Sequence, residues 1–267
     1  PEVGEQAAVS GRAALRQVLS GSDIVFVCTG LGGGTGTGAA PIVADIAKKV
    51  GALVVGMVTL PFSWEGHKRL ETAVGGLSRL REKVDNLILI HNDRLGSLVR
   101  NDVPMQEAFK IADSAVAEGI LVVAEIVNVP GDINVDLADI RSIMALPGQA
   151  LMAIGSGSGV NGSQQAAENA IKNPLLDLSI DGAKGALFTV KGGPKVTLGQ
   201  VNAAGRIISK AVDPEAIIFF GMHIQQDMGD EVRLTLIATG IPDQVKSAKP
   251  AAAPTPPPGD GKTGANR

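Results

Sequence analysis

The run Gly32-Gly33-Gly34-Thr35-Gly36-Thr37-Gly38 concentrates this chain's capacity to hold an anion. Glycines let a backbone approach an anion closely and adopt positive φ. Successive N–H groups then converge, and a following helix adds the positive end of its dipole. Thr35 and Thr37 offer hydroxyl donors beside them. Two common phosphate loops can be tested on the letters. A Walker A loop ends in Gly-Lys-Ser/Thr, but here Gly38 is followed by Ala39 and Ala40. A dinucleotide fingerprint matches formally at Gly34–Ala39, yet it also wants an acid at the end of the next strand. That strand ends Val58-Thr59-Leu60-Pro61, without one.

Three pairs have spacings that could do further chemistry. Asp136 and Asp139 stand three apart at a predicted helix start, after the turn signal Pro130-Gly131-Asp132. Taken alone they suit N-terminal capping. Glu65 and Arg69 are four apart, the spacing of a helix-surface ion pair worth little by itself. Phe109 and Asp113 are also four apart and share one face of a predicted helix, where Phe109 alone would be read as core. A second glycine run, Gly155 to Gly159, reads as a turn after a strand. His67, His91 and His223 are scattered, with no metal-ligand partner at helical spacing, so no metal site is expected on them, and the single Cys28 permits neither a disulfide framework nor a cysteine zinc site.

The elements that must position these groups alternate. An amphipathic helix over Glu5–Leu19 is followed by a buried strand at Asp23–Cys28, a helix at Ala39–Val50 and a second buried strand at Leu53–Val58. Helical charge pairs over Trp64–Val84 and a short strand at Leu87–Ile90 complete a β-α-β-α rhythm, which implies a parallel sheet covered on both faces. Met105–Val127 reads as one long helix, apolar around much of its circumference, to be buried between layers. Strands at Ala150–Ile154, Gly185–Val190, Ile217–Met222 and Val232–Ala238 then suggest an α+β region. Residues 242–267 hold six of the 15 prolines and one large apolar residue, so disorder is expected there. The net charge of −3 gives no drive toward nucleic acid or anionic lipid, and no stretch is long and apolar enough for membrane insertion.

With Thr29-Gly30-Leu31 before the loop and Ala39-Ala40-Pro41 after it, the segment resembles the signature of the tubulin/FtsZ family. Further segments resemble the family in the right order: Thr59–Gly66, His91–Leu95, Asn134–Asp139, Ser179–Gly185 and Gly229–Arg233. The resemblance implies an α/β, Rossmann-like parallel-sheet GTPase domain over 1–128 that ends in a central helix at 105–127. An α+β C-terminal domain over 129–241 and a tail over 242–267 would follow. It implies GTP/GDP on Gly32, Gly33, Gly34, Thr35, Gly36, Thr37 and Gly38, with Thr59, Pro61, Glu65 and Arg69 on the ribose and phosphate side, and Mg2+ on the phosphates. Asn92, Phe109 and Asp113 would meet the guanine, and Trp64 would pack beside the sugar loop. Asn134, Asp136 and Asp139 would act as catalytic residues, inserted into the neighbouring subunit's site. The partner is then the chain itself, polymerised head to tail, with division-machinery proteins, in the cytoplasm at the division site. A tubulin-like filament protein with weak hydrolysis and a role such as archaeal shape control is the alternative. Pro1-Glu2-Val3-Gly4 resembles the tail of a phosphate loop, so the sequence reads as a fragment or a processed chain in which the family's first strand and earlier loops are absent, and no adaptor-recruiting peptide is read in the tail.

Overall fold

The structure, a computed structural model, describes residues 1–95, 136–173 and 179–242, together with 11 positions between 106 and 124. The expectations on Phe109, Asn134, the turn at 130–132 and the tail beyond Pro242 lie outside the described residues.

Seven strands form one sheet in the order β1-β2-β3-β4-β7-β5-β6. They are β1 (Ile24–Gly30), β2 (Leu53–Leu60), β3 (Asn86–His91), β4 (Gln149–Ser158), β5 (Gly185–Gly192), β6 (Ile217–Ile224) and β7 (Glu231–Ile241). The pairs from β1 to β4 are parallel, as the alternating sequence requires. β7 enters antiparallel between β4 and β5 and joins the two halves of the chain into one hydrogen-bonded surface.

Alternate residues along these strands serve opposite faces. On β2, Leu53, Val55 and Met57 enter one core layer while Val54 and Val58 enter another. On β4, Ala150 and Met152 share the first of those layers, and Leu151 and Ala153 face a third cluster. The shared layer also takes Leu187 of β5 and Ile237 of β7, so both halves of the chain pack on one apolar floor.

Among the described residues the continuous helices are α1 (Glu2–Ser10), α2 (Arg12–Leu19), α3 (Thr35–Lys49), α4 (His67–Arg81), α5 (Asn92–Leu95), α6 (Leu137–Met144), α7 (Gly162–Ile171) and α8 (Leu198–Ala211). The predicted helix over Glu5–Leu19 is broken at Gly11 into α1 and α2. The predicted helical stretch from Trp64 divides at Gly66, whose φ of 102° no helix accommodates, into a short 3-10 turn and α4. Asp45 on α3 gathers charges from its neighbours. Its carboxyl is held below the usual range chiefly by a hydrogen bond from Lys49, with smaller contributions from the charges of Lys49, Lys83 and Arg12, against a desolvation that opposes them.

Between 106 and 124 every described residue is helical. Val116, Ile120 and Val123 join the shared core layer, and Gly119 lies where any side chain would strike Met57 of β2 and Met152 of β4. Asp113, Ala117 and Leu121 are exposed, so one face of this helical stretch meets solvent rather than a second layer.

The second glycine run is not a turn. Gly155, Ser156, Gly157 and Ser158 are paired along β4 with Leu234, Arg233, Val232 and Glu231. Gly155 and Gly157 are glycine because α7 backbone packs directly on them, and only Gly159, at φ 70°, turns the chain.

Candidate functional site

The loop after β1 is shorter than its letters suggest. α3 begins at Thr35 rather than at Ala39, so Thr35 to Gly38 are its first turn and only 31–34 form a bend. Packing overrides glycine's poor helix propensity there. A side chain at Gly36 would strike Thr29 and the Gly30 carbonyl, and one at Gly38 would strike Pro1 and Glu5 at the start of α1. These two glycines seat α3 between β1 and α1. Gly32 has a different reason: its φ is 99°, and a Cβ would come within 3.0 Å of the Arg69 carbonyl.

Gly33 and Gly34 have neither reason. Both are exposed, neither has positive φ, and a Cβ on either meets no protein atom within 4 Å. The space beside them is open, as a phosphate cradle requires. Gly34, the N-cap of α3, makes no side-chain cap, and the helix's own first turn holds no acid against the positive end of its dipole. An anion in such a position gains up to ~2 kcal/mol.

The two threonines have different places. Thr35 is exposed. Thr37, expected to present its hydroxyl to a ligand, is wholly buried; its Oγ1 accepts from the Gly32 N–H at 2.9 Å and fastens the loop. Its carbonyl accepts from Arg79 of α4 at 3.3 Å, and Arg79 in turn pairs with Glu5 of α1 at 3.0 Å. The glycine loop is thus braced from behind by three helices.

The loops after β1, β2 and β3 meet at the C-terminal ends of these parallel strands. The Leu31 N–H donates to the Thr59 carbonyl at 2.9 Å, and Gly32 sits against Pro61 and Arg69. Arg69 pairs with Glu65 at 3.0 Å across the Gly66 break. Glu65 accepts from the Phe62 N–H at 2.8 Å, and Asp93 of α5 accepts from the Ser63 N–H at 2.9 Å. Trp64 is exposed and stacks on Phe62, with ring centroids 5.3 Å apart. Asn92 is buried and its Oδ1 has no hydrogen-bond partner among the described residues. An orphaned buried amide oxygen of this kind fits a ligand donor. Sequence reasoning missed Asp93, whose hydrogen bond joins the second loop to the third. Cys28, near the end of β1, has its thiol pKa raised by desolvation, which keeps it protonated and a poor nucleophile.

Asp136 and Asp139 are elsewhere. Asp136 is the N-cap of α6 and accepts from the Asp139 N–H at 2.7 Å. The Asp139 carboxylate is half-exposed, with no partner among the described residues. α6 attaches at the N-terminal ends of the strands. Arg141 donates to the Asp23 carbonyl just before β1 at 3.2 Å, and Asn86 at the start of β3 donates to the Met144 carbonyl at 3.1 Å. A seven-residue β1 separates that end from the glycine loop by roughly 20 Å. α6 is only about 12 Å long. The two acids therefore stand at the opposite end of the sheet from this chain's own loop.

Fold and site define an α/β protein whose parallel strands present a braced phosphate-type loop at their C-terminal ends. The model for the tubulin/FtsZ family GTPase domain matches residues 1–100, and that for the FtsZ family C-terminal domain matches 148–242. A point mutant of FtsZ from M. jannaschii is 40% identical, covering 90% of this chain and 72% of that one, with a TM-score of 0.86. An empty FtsZ dimer from the same organism is also 40% identical, covering 90% and 70%, at 0.85. A GDP-bound CetZ1 monomer from Haloferax volcanii shares the fold at 21% identity, covering 91% and 73%, at 0.74. The chain belongs to the tubulin/FtsZ family.

Proposed function

We propose that this chain binds GTP on the loops after β1, β2 and β3 and hydrolyses it only where a second copy docks head to tail. The separation of Asp136 and Asp139 from the glycine loop carries this reading, because the acids and the loop belong to opposite ends of one molecule. A contact between unlike ends repeats without closing and yields a filament.

The chain's residues then divide the work. The backbone at Gly33 and Gly34 and the start of α3 hold the phosphates, with Thr35 beside them. Thr59, Pro61, Glu65 and Arg69 line the sugar side. Asn92, Asp113 and Phe109 select guanine: the carboxylate accepts from the base's N–H groups and the ring stacks on its face. The neighbour's Asp136 and Asp139 orient and polarise the attacking water, with Asn134 beside the nucleotide, so catalysis is mostly positioning and charge stabilisation. Mg2+ on the phosphates would neutralise charge on the transferring group. Water adds to the γ-phosphorus as its bond to the β-bridging oxygen breaks, giving GDP and inorganic phosphate. Loss of the γ-phosphate removes charge from the subunit contact and weakens it. As a cytoplasmic filament at the division site, the chain would work with other division proteins.

Asp139→Ala tests the assignment. The expected variant binds GTP as the parent does but turns it over about a hundredfold or more slowly, the scale of a lost proton acceptor. Normal turnover would remove the acids from the mechanism. Weak hydrolysis in the parent itself, with filaments intact, would favour the non-division alternative.

A further inference from the structure

The last strand of the sheet order, β6, reads Ile217-Ile218-Phe219-Phe220-Gly221-Met222-His223-Ile224 and pairs only with β5 among the described residues. Its other edge has no strand partner among the described residues, so its outward backbone donors and acceptors are open to one. Soluble proteins usually blunt such an edge with lysine, proline or a bulge, and this one has none of them.

Beside that edge a groove of about 590 Å³ runs between β6 and α8. Its floor is apolar: Ile218 and Phe220 of β6 point into it, and Phe220 stacks on Phe188 with centroids 5.6 Å apart. Gly205 of α8 lines the groove without a side chain, and a Cβ there would stand 3.6 Å from the buried Phe188 ring, in ordinary contact. Arg206 and Lys210 are four apart, one turn above the other, and line the same groove. Both are exposed and neither has an ion-pair or hydrogen-bond partner among the described residues. Asp213, close in sequence, is already paired with Lys184 at 2.6 Å.

We propose that an extended acidic segment of a partner protein adds to β6 as a further strand. Its alternate apolar side chains would fill the groove and its carboxylates would meet Arg206 and Lys210. Strand addition supplies main-chain hydrogen bonds, pockets for alternate side chains supply selectivity, and the cations set the sign of the partner. This chain's own residues 243–267 fit poorly. They carry Lys246, Lys249, Lys262 and Arg267 against Asp243 and Asp260, and five prolines that cannot donate to a strand ladder. A second copy paired edge to edge would bring two Arg206–Lys210 sets together. The site stands at the far end of the strand order from β1 and does not depend on the nucleotide reading.

The probe is a fluorescein-labelled peptide alternating glutamate and valine over eight residues, titrated into the full chain at low salt, with a lysine–valine peptide as control. Saturable binding of the acidic peptide, at least tenfold tighter than the control, is expected, with amide exchange slowed across 217–224. The Arg206→Glu/Lys210→Glu variant should weaken it tenfold or more. Gly205→Leu, which fills the groove from a half-exposed helix position, should block it with the circular dichroism spectrum unchanged. Equal binding of both peptides, or no effect of either variant, would overturn the proposal. So would displacement of the probe by a synthetic 243–267 peptide, or its exclusion by dimerisation of the chain through β6.

Discussion

Asp136 has two roles that a single alanine substitution would confuse. Its carboxylate caps α6, accepting from the Asp139 N–H, and in the proposed filament it also faces the neighbour's nucleotide. Asparagine caps a helix about as well as aspartate but carries no charge. Asp136→Asn should therefore leave the melting temperature nearly unchanged while slowing GTP hydrolysis. Asp136→Ala should slow hydrolysis and also cost about 1 kcal/mol of stability, a fall of about 2–4 °C. Equal turnover in Asp136→Asn and the parent would confine Asp136 to its capping role. The pair was visible in sequence as two carboxylates three apart, but the letters could not separate cap from catalyst, because both uses demand the same residue at the same helix start. Thr37 misled for the opposite reason. Its neighbours in the run promised a ligand, whereas its actual partner is the Gly32 N–H inside the same loop.

The glycine run is a loop and a helix start at once, and its glycines answer to different constraints. Gly36→Ala forces a methyl against Thr29 and the Gly30 carbonyl. Overpacking of that kind costs roughly 1–3 kcal/mol, which a helix-propensity gain of about 1 kcal/mol offsets only in part. Gly33→Ala meets no protein atom. Its ligand-free melting temperature should match the parent's, while GTP affinity falls about tenfold or more as the methyl takes the ligand's space. Thermal melts with and without GTP separate the two. A Gly33→Ala chain with parental affinity would mean the phosphates sit elsewhere. At this scale the sequence reading was strongest where a strand is a continuous apolar run, as in β2, which is buried along nearly its whole length; β1 was placed correctly, but at the end of the strand order it buries only Val25 and Val27. It failed where glycine was taken as punctuation. Gly155 and Gly157 lie within β4 because α7 needs their missing side chains, and Thr35–Gly38 are helical because β1 and α1 hold them so. Glycine reports a close approach as often as a turn, and only the tertiary partner distinguishes them.

Across the whole molecule, the sheet sets a polarity. Its C-terminal strand ends hold the loop cluster, and α6 with its two acids is fastened to the other end by Arg141 and Asn86. In the proposed head-to-tail filament neither half is complete alone, so two inactive variants should repair each other. Asp139→Ala keeps a working nucleotide face but offers no acid to its neighbour. A chain with bulky substitutions at Gly33 and Gly34 keeps its acids but holds no nucleotide. In a 1:1 mixture assembled at random, half the nucleotide faces and half the acid faces are intact, so about a quarter of head-to-tail contacts are complete. Each variant alone should hydrolyse almost no GTP, and the mixture should recover up to about a quarter of the parental rate at equal total concentration. Recovery should rise steeply with protein concentration, because it requires association. A mixture as inactive as its parts, with both variants still entering sedimentable filaments, would show that each subunit's acids serve its own nucleotide.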